Sequence, residues 1–433
     1  MTKDSHYRIK LETLILSMDN LTILVRRHIR KLESIVIGTI LLVFMNSLVW
    51  SGSAQADALG CYQGTGNPLI CPNSSKPALV GSAEGTNCVQ GESEDWHTTA
   101  ENVVGSDVIV LSIHGRNIES NTSKISKDLQ TLYEWDRYDF SGHVINQACR
   151  DLRPILNPSC MVGDTYCVLH ITSTNFNDPA VVDLVEAHPK AVSIHGCSSS
   201  CSVNTICAGG RNIETTQPTD FRKYVNNYKG LVSSPLLTFA FDDQGNQSDN
   251  GATCDSSLAG YDVDNIVNQT SIGEGFQLEI HSDIRNRLAN NNIQYDLLRS
   301  VVYGGVAHAV GELPVPLVTF NGSESYTVSG KTFMRYKLSV ENRSEYPSEI
   351  FAPAPSLPPC GSNTNSSRTW VRIYNATNNQ YIYGFCALSS PQLLNSIWFA
   401  VEQGNTPPAS VYVSLIDRET ERTYRSNRVT IPH

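Results

Sequence analysis

Two histidines in this sequence share the same four-residue context, Ser-Ile-His-Gly, at positions 112–115 and 193–196. Each histidine, His114 and His195, follows a run of apolar residues that predicts a buried strand. Packing alone does not explain two imidazoles that end two apolar strands in the same manner. Glu119 follows His114 by five residues. Two histidines and a glutamate form a ligand set that catalytic zinc uses in peptidases, with one position left open for water.

A further carboxylate, Glu279, lies in the otherwise apolar segment GFQLEI. Its neighbours Leu278 and Ile280 point to the opposite face, because side chains alternate along a strand. A buried carboxylate lowers the stability of the folded protein unless it is paired with another group, so an unpaired one is expected to have a functional role. We therefore expect Glu279 to act as a general base for a zinc-activated water. The alternative is a structural ion pair with Arg285 on the following helix.

A single histidine at a strand end is more often a structural hydrogen-bonding residue than a metal ligand. The combination favours a metal site, because His114, Glu119 and His195 all follow strands of one α/β unit, where open sheets place their sites. We expect one Zn²⁺ ion at these three residues, which would make the chain an enzyme.

The elements that must position these residues alternate between strand and helix. Apolar runs predict strands over 107–113, 167–171, 191–194 and 276–280, and helical spacing predicts helices over 125–137, 181–185 and 283–288. This alternation is typical of an α/β fold with a mixed, mostly parallel sheet flanked by helices. After Pro314, short alternating strands predict an all-β sandwich of immunoglobulin or fibronectin type III kind. It would anchor, space or capture substrate, or act only as a stabilising appendage.

The strings VLSIHGRNIESNTSKIS, LHITSTNFNDP, AVSIHGC and GFQLEI resemble the successive motifs of phage and bacterial poly-γ-glutamate hydrolases. The resemblance covers roughly residues 106–308, about half of the chain. It implies a carboxypeptidase-like α/β fold, with zinc held by His114, Glu119 and His195 and with Glu279 as the general base.

The chain departs from that pattern at residues expected to bind substrate. Arg116 and Asn117 stand where the family usually has glycines, and no arginine follows Asn268, where carboxypeptidase-like enzymes use an Asn-Arg pair to bind a carboxylate. Arg116 or Arg285 could replace that cation, since the guanidinium fork bonds both carboxylate oxygens. For Arg116 the alternative is a solvated loop residue. His170 is a further candidate substrate contact, with a structural role as its alternative.

The pattern therefore predicts cleavage of γ-glutamyl amide bonds in poly-γ-glutamate or a related acidic peptide polymer. One alternative is an isopeptidase that acts on γ-glutamyl bonds of cell-wall peptides. Another is a secreted binding or adhesion protein with a degenerate hydrolase domain. The formal net charge of −10 argues against nucleic acid as a partner, because affinity for phosphate backbones comes largely from Lys and Arg. The sequence indicates no oligomeric state.

The N-terminal region has the features of an export signal. A basic cluster at 26–31 precedes an uncharged apolar run at 35–50, and Ala54-Gln55-Ala56 follows as a cleavage site. An uncleaved membrane anchor is the alternative. Cleavage would leave a secreted or periplasmic protein without stable membrane insertion. We divide the chain into a signal peptide (1–56), a disulfide-containing segment (57–105), a zinc hydrolase domain (106–313) and the sandwich (314–433).

Twelve cysteines agree with export, because an even number in an exported chain indicates disulfides. Cys360 and Cys386 are isolated from the others in the tail and are the pairing that we expect first. A metal site at Cys197, Cys201 and Cys207 is the alternative for those three residues.

Overall fold

The computed structural model describes residues 93–103, 105–147, 165, 169–176, 178–211, 217–232, 240–241, 247–248, 253–360 and 366–432. These residues all belong to one compact unit, Ala56–His433. The expected signal peptide, most of the segment 57–105 and six of the cysteines (Cys61, Cys71, Cys88, Cys149, Cys160 and Cys167) lie outside the described residues. Within those residues, no helix has the length and apolar character needed to cross a membrane.

A six-stranded sheet forms the first half of the described chain. Its strands are β1 (Trp96–Glu101), β2 (Val108–Arg116), β3 (Asp136–Gly142), β4 (Lys190–Cys197), β5 (Ile206–Gly209) and β8 (Phe276–His281). The order is β1-β3-β2-β4-β8-β5. The four central strands run parallel, and the edge strands β1 and β5 are antiparallel to their neighbours. A separate two-stranded sheet joins β6 (Ala240–Phe241) to β7 (Gln247–Ser248). The expected mixed, mostly parallel α/β sheet is confirmed.

Helices cover both faces of the six-stranded sheet. They are α1 (Thr122–Tyr133), α2 (Pro179–Ala187), α3 (Gln217–Tyr228), α4 (Ser282–Leu288) and α5 (Asp296–Ala309). Apolar residues of α1, α3, α4 and α5 share one buried cluster with the sheet. Those of α2 share the cluster on the opposite face. Because both faces are covered, β2 and β4 are largely apolar. The parallel strand β3 differs, because it buries Asp136, Arg137 and Asp139.

Two of the sequence-based element predictions are wrong. The helix expected over 125–137 ends at Tyr133, because Glu134 adopts a left-handed backbone (φ 57°) and β3 begins at Asp136. The strand expected over 167–171 is not formed at its described residues, where Leu169 and Ile171 are buried without joining a sheet. Their apolar side chains fill the core beneath the sheet, which produces the same alternating pattern as a strand.

The C-terminal part contains two antiparallel sheets. The first has the order β13-β10-β9 and is built from β9 (Val318–Val328), β10 (Lys331–Val340) and β13 (Ile397–Glu402). The second has the order β12-β11-β14-β15 and consists of β11 (Thr369–Asn375), β12 (Tyr381–Phe385), β14 (Ser410–Asp417) and β15 (Thr423–Arg425), with β16 (Val429–Thr430) also paired to β14. Leu338 and Phe399 of the first sheet share one buried cluster with Val371 and Val413 of the second.

Buried polar contacts join the two parts. The Asn342 side chain donates to the Tyr224 hydroxyl at 2.9 Å and to the Val315 carbonyl, and its own carbonyl oxygen accepts from the Leu317 amide. The Arg422 guanidinium pairs with Glu312 at 2.6 Å. Asn342 is fully buried, so its loss would leave several polar groups without partners. The parts are therefore held together by specific contacts as well as by the chain itself.

The described cysteines form two disulfides, Cys197–Cys201 and Cys207–Cys254. The alternative of a metal site at Cys197, Cys201 and Cys207 is thereby excluded in this structure. The expected Cys360–Cys386 bond is not formed. Both thiols are buried and free, and each faces the backbone carbonyl of the other residue, with Cys386 Sγ 3.0 Å from the Cys360 oxygen.

Candidate metal centre

A β-bulge in β2 directs His114 toward the site. The pairing of β2 with β3 shifts between Ser112 and Gly115, so that Ile113 and His114 together oppose one residue of β3. A bulge disrupts the regular alternation of faces and re-aims a side chain. Both strands continue two residues beyond their histidine, to Arg116 and Cys197, rather than ending at it. In β2, the bulge rather than the end of the strand therefore turns the His114 side chain toward the site.

Three donor atoms meet beside β2 and β4. His114, Glu119 and His195 are buried, and their ligand atoms lie within 4.8 Å of one another. The Nδ1 atoms of the two imidazoles are 3.0 Å apart, and Glu119 Oε1 is 3.1 Å from Nδ1 of His114. Glu119 Oε2 lies 3.9 Å from Nδ1 of His195. All three expected ligands therefore point at one small volume.

Partners on the far side of each ligand fix its orientation. Nε2 of His114 donates to the Ile171 carbonyl at 2.7 Å, because a carbonyl can only accept. Nε2 of His195 lies 2.7 Å from the Ser193 hydroxyl. Glu119 accepts a 2.6 Å hydrogen bond from the Gly196 amide. Such contacts hold the tautomer and ring orientation of metal-binding histidines, and here they leave both Nδ1 atoms facing inward.

The charges of these residues depend on one another. Burial opposes a charge on His114, but the charge and hydrogen bond of Glu119 outweigh it and raise the His114 pKa. Burial would raise the pKa of Glu119, yet the same interaction with His114 keeps that pKa low. Burial, and then the charge of His114, hold the pKa of His195 well below its usual range. Without a cation, His114 and Glu119 therefore form an ion pair beside a neutral His195.

This donor set fits a zinc ion. Tetrahedral ligand atoms at about 2.0–2.1 Å from zinc lie roughly 3.4 Å from one another, close to the separations seen here. A dication would take the place of the proton that His114 and Glu119 share. Three protein ligands also leave a fourth position open, as in catalytic zinc sites.

Glu279 lies next to the ligand set on β8. It pairs in register with His195 of β4, so both side chains lie on the same face. Burial, and then the charge of Glu119, raise the pKa of Glu279 well above its ordinary value. The Gln277 side chain donates to Glu279 at 3.0 Å and is itself held by Asn265 at 2.8 Å. The structure thus supplies a fixed carboxyl group with a proton affinity above that of an ordinary glutamate.

Arg285 occupies a different position from the one expected of a substrate ligand. Its guanidinium is buried and packs against Gly196, where an added Cβ would lie 1.9 Å from Nη1. It donates to the carbonyls of Ser120 and Ile280, at 2.8 and 2.5 Å. These bonds join the Glu119 loop to the end of β8. Arg285 therefore positions the loop that carries Glu119. The alternative of a structural ion pair between Arg285 and Glu279 is not among the described ion pairs, which extend to 4.0 Å.

The remaining candidate substrate residues lie in three different environments. His170 is at the site, because its ring stacks on His114 with centroids 4.1 Å apart and its Nε2 lies 3.8 Å from Glu119. Burial, and then His114, lower the pKa of His170 to about 3. Arg116 and Asn117 are exposed at the end of β2. Asn268 is buried, with its amide donating to the carbonyls of Gly260 and Asp262, so its side chain supports a loop.

Sequence reasoning missed Ser193 and Gln277, which hold His195 and Glu279. Each precedes its partner by two residues and so shares its strand face. The two-residue spacing on a strand could therefore have identified both residues as neighbours of His195 and Glu279 from the sequence. The Ile171 carbonyl left no such signal, because any residue carries one.

One known family matches the part of the chain that contains the three ligand residues. The model of the family described as poly-gamma-glutamate hydrolase matches residues 85–151 and 164–227. This part of the chain is similar to the poly-gamma-glutamate hydrolase family. The matched residues include His114, Glu119 and His195, whereas Glu279 and the C-terminal sheets lie beyond them.

Proteins of Bacillus subtilis share this part of the sequence. The SPbeta prophage-derived protein YoqZ is 32% identical over 183 residues, which are 42% of this chain and 52% of YoqZ. YndL is 35% identical over 92 residues, 21% of this chain and 29% of YndL. The chain thus spans about half of the first relative's length and less of the second.

Two solved structures are also similar. A bacteriophage poly-gamma-glutamate hydrolase has 23% identity and a TM-score of 0.34, with 50% of this chain and 88% of that chain covered. A zinc-free form of YndL has 25% identity and a TM-score of 0.31, with 45% and 75% covered.

Proposed function

We propose that this chain is a secreted or periplasmic zinc hydrolase that cleaves γ-glutamyl amide bonds in poly-γ-glutamate or a related acidic peptide polymer. The observation that carries the proposal is the convergence of His114, Glu119 and His195, with both imidazoles presenting Nδ1 and Glu279 fixed beside them. Similarity to the poly-gamma-glutamate hydrolase family over residues 85–151 and 164–227 supports the reaction class. The polymer, the compartment and the single zinc ion are parts of the proposal.

The residues of the chain have distinct roles in this mechanism. Bound zinc would polarise the scissile carbonyl and make the attacking water more acidic. Glu279 accepts the proton of that water and passes it to the leaving amine. A base works best when its pKa lies near the working pH, and burial raises the pKa of Glu279 in that direction. Gln277 holds the carboxyl group in one orientation for both transfers.

Arg116 is the candidate that would bind the free carboxylate of a glutamyl unit. It is exposed two residues after His114, and its left-handed backbone (φ 58°) turns the chain away from the sheet. A guanidinium at this position can bond both oxygens of a carboxylate. His170, partly exposed above His114, is the second candidate contact. Asn117 remains a third, as an exposed neighbour of Arg116.

The same proposal includes the architecture. We interpret the six-stranded sheet as carboxypeptidase-like and the two C-terminal sheets, which share one core, as a β-sandwich of residues 314–433. The alternative of a degenerate hydrolase that serves only as an adhesion protein has less support, because a decayed site would not be expected to keep three convergent ligands and a fixed carboxyl group. An isopeptidase of cell-wall peptides would use the same site and differs only in substrate.

Chain-length analysis of poly-γ-glutamate tests the proposal. Zinc-loaded wild-type protein and its Glu279→Gln variant are incubated with the polymer in parallel. We expect the wild type to shorten the polymer and the variant to lose about 10²–10⁴-fold in rate, the usual contribution of a general base. Intact polymer after incubation with folded, zinc-loaded wild type would refute the substrate, and cleavage of γ-glutamyl cell-wall peptides by the same sample would assign it to the isopeptidase alternative.

A further inference from the structure

The outward face of the second C-terminal sheet carries aromatic rings and arginines. Strand residues that point away from the shared core form this aromatic–arginine face, which comprises Trp370, Arg372, Tyr374, Tyr381, Arg425 and Tyr412, the last of which is itself buried. Tyr374 stacks on Tyr412 with centroids 5.1 Å apart and meets the exposed Tyr381 edge-on. Outward positions of a two-layer β structure are usually polar, so this composition calls for a reason other than folding.

The two arginines of the face lie flat on aromatic rings. The guanidinium carbon of Arg372 is 3.4 Å from the ring centroid of Trp370, and that of Arg425 is 3.8 Å from that of Tyr412. Stacking holds a guanidinium in place and leaves its N–H edge available. Among the described residues, neither arginine forms an ion pair. Nη1 of Arg372 donates to the Tyr374 hydroxyl at 3.4 Å, and its buried Nε has no hydrogen-bond partner.

The arginines also lie in one row across the sheet. Arg372 of β11 pairs with Ser414 of β14, which pairs with Arg425 of β15. Paired residues share a face, and neighbouring strands are 4.7–4.9 Å apart, so the two arginine backbones are separated by roughly 10 Å. No Asp or Glu occupies the outward strand positions of this described sheet. The face is therefore cationic on a chain whose formal net charge is −10.

A contrasting arginine lies on the other C-terminal sheet. Arg335 also stacks on aromatic rings, at 4.5 Å from the centroids of Tyr326 and Trp398. However, Arg335 pairs with Glu324 at 3.2 Å, and Lys337 pairs with the same carboxylate at 2.6 Å. That surface already contains its counter-charge. Only the aromatic–arginine face combines stacked arginines with the absence of a carboxylate partner among the described residues.

We propose that the aromatic–arginine face binds the carboxylate-bearing glutamyl polymer as a second, non-catalytic site, an inference that rests on the substrate named in the proposed function. A γ-linked glutamyl chain presents free carboxylates at regular intervals. Two stacked guanidinium groups in one row carry the opposite charge and donate the N–H hydrogen bonds that carboxylate oxygens accept. The guanidinium groups occupy the ring faces of Trp370 and Tyr412 that a neutral sugar would need for stacking.

The sheet that carries the face is attached to the hydrolase domain. Arg422, just before β15, bonds Glu312 and the Tyr133 carbonyl, so this edge of the sheet is joined to the hydrolase domain. Polymer held on the face would remain at a high effective concentration beside that domain. Local cationic groups would also counter the repulsion between an acidic protein and an acidic polymer.

Binding of fluorescently labelled poly-γ-glutamate to the full chain tests the inference, with Glu279→Gln in every sample to prevent cleavage. We expect the Arg372→Gln/Arg425→Gln double variant to bind roughly five- to tenfold more weakly, with a smaller salt dependence. The matched control Arg335→Gln should bind as the parent does. Thermal unfolding identifies loss of fold, and the Arg372→Lys/Arg425→Lys variant, which retains charge but loses the fork, should bind with intermediate affinity.

Unchanged binding by a folded double variant would overturn the inference, as would equal or tighter binding of dextran or polygalacturonate by the parent. Failure of the proposed function gives a different result. In that case the wild-type protein binds the polymer through the arginines without shortening it. If the inference alone fails, the wild-type protein shortens the polymer, an Arg372→Gln/Arg425→Gln variant that retains Glu279 shortens it equally well, and the Glu279→Gln form of that variant binds it as tightly as the parent.

Discussion

Nδ1 of His114 and Nδ1 of His195 lie 3.0 Å apart, although 81 positions separate the two residues in the sequence. Because Nε2 of His114 donates to a carbonyl, its Nδ1 offers a lone pair whenever the ring is neutral. Two lone pairs at this distance repel each other unless a proton or a metal ion lies between them. The arrangement therefore needs a proton or a metal ion between these two atoms, and Glu119 supplies a nearby negative charge that favours a cation there.

Zinc affinity should depend on pH for this reason. Glu119 raises the pKa of His114, and the proton must leave before zinc can bind at Nδ1. We expect the zinc affinity to fall as the pH is lowered through that raised pKa, with proton release on binding. Calorimetry in buffers of different ionisation enthalpy measures both. Affinity that does not change with pH would show that His114 is not a ligand.

The two serines of the repeated Ser-Ile-His-Gly motif provide a matched pair. Ser193 contacts His195, whereas Ser112 bonds Ser126 and Asp139 instead of a histidine. We expect Ser193→Ala to weaken zinc binding about 10–100-fold, as is usual when the partner of a ligand is lost. Ser112→Ala should leave zinc affinity unchanged, whatever its effect on stability. Equal zinc affinities for the two variants would mean that Ser193 does not orient His195.

The stability of the metal-free protein should depend on Glu279. Burial, and then Glu119, raise the pKa of Glu279 well above its ordinary value, so the folded state holds a proton that the unfolded chain releases. This contribution is complete below the unfolded pKa and is lost as the pH rises through the folded pKa. Metal-free Glu279→Gln should therefore gain stability relative to wild type as the pH rises from 4 to 8. Urea unfolding measures the difference, and a constant gap would contradict the prediction.

Replacement of Arg285 distinguishes a positioning role from substrate binding. Arg285→Met would remove hydrogen bonds to the Ser120 and Ile280 carbonyls, at a cost on the order of 2–4 kcal/mol. Arg287→Met, on the same helix, is the control and should cost less. Urea unfolding and KM are measured together. A raised KM with unchanged stability would restore Arg285 as the substrate ligand.

The sequence predicted the site residues better than their roles. Strands β2, β4 and β8 carry His114, His195 and Glu279 because buried parallel strands are continuous apolar runs, in which a polar residue is conspicuous. Helix α4 followed β8 as expected. The ligand residues were therefore visible as exceptions to a strong pattern.

Other features depend on tertiary contacts that leave no local pattern. The bulge at Ile113–His114 arises from the register of β2 against β3, which no single segment encodes. Arg285 donates its hydrogen bonds to backbone carbonyls, which every residue carries, so the sequence gives no sign of its partners. Cys360 and Cys386 were close in space as expected, yet proximity alone did not determine a bond. The edge strand β1 has the mostly polar sequence WHTTAE and β5 has only four residues, so neither contains an apolar run that would identify a strand.

Removal and return of zinc tests the central claim most directly. The chain length of poly-γ-glutamate is followed with wild-type protein as purified, after chelation, and after addition of one zinc ion per chain, with His195→Ala treated in parallel. We predict cleavage by the purified and reloaded wild type, none after chelation, and none by the variant in any state. Undiminished cleavage by the chelated wild type, or by His195→Ala, would contradict a catalytic zinc held by His114, Glu119 and His195.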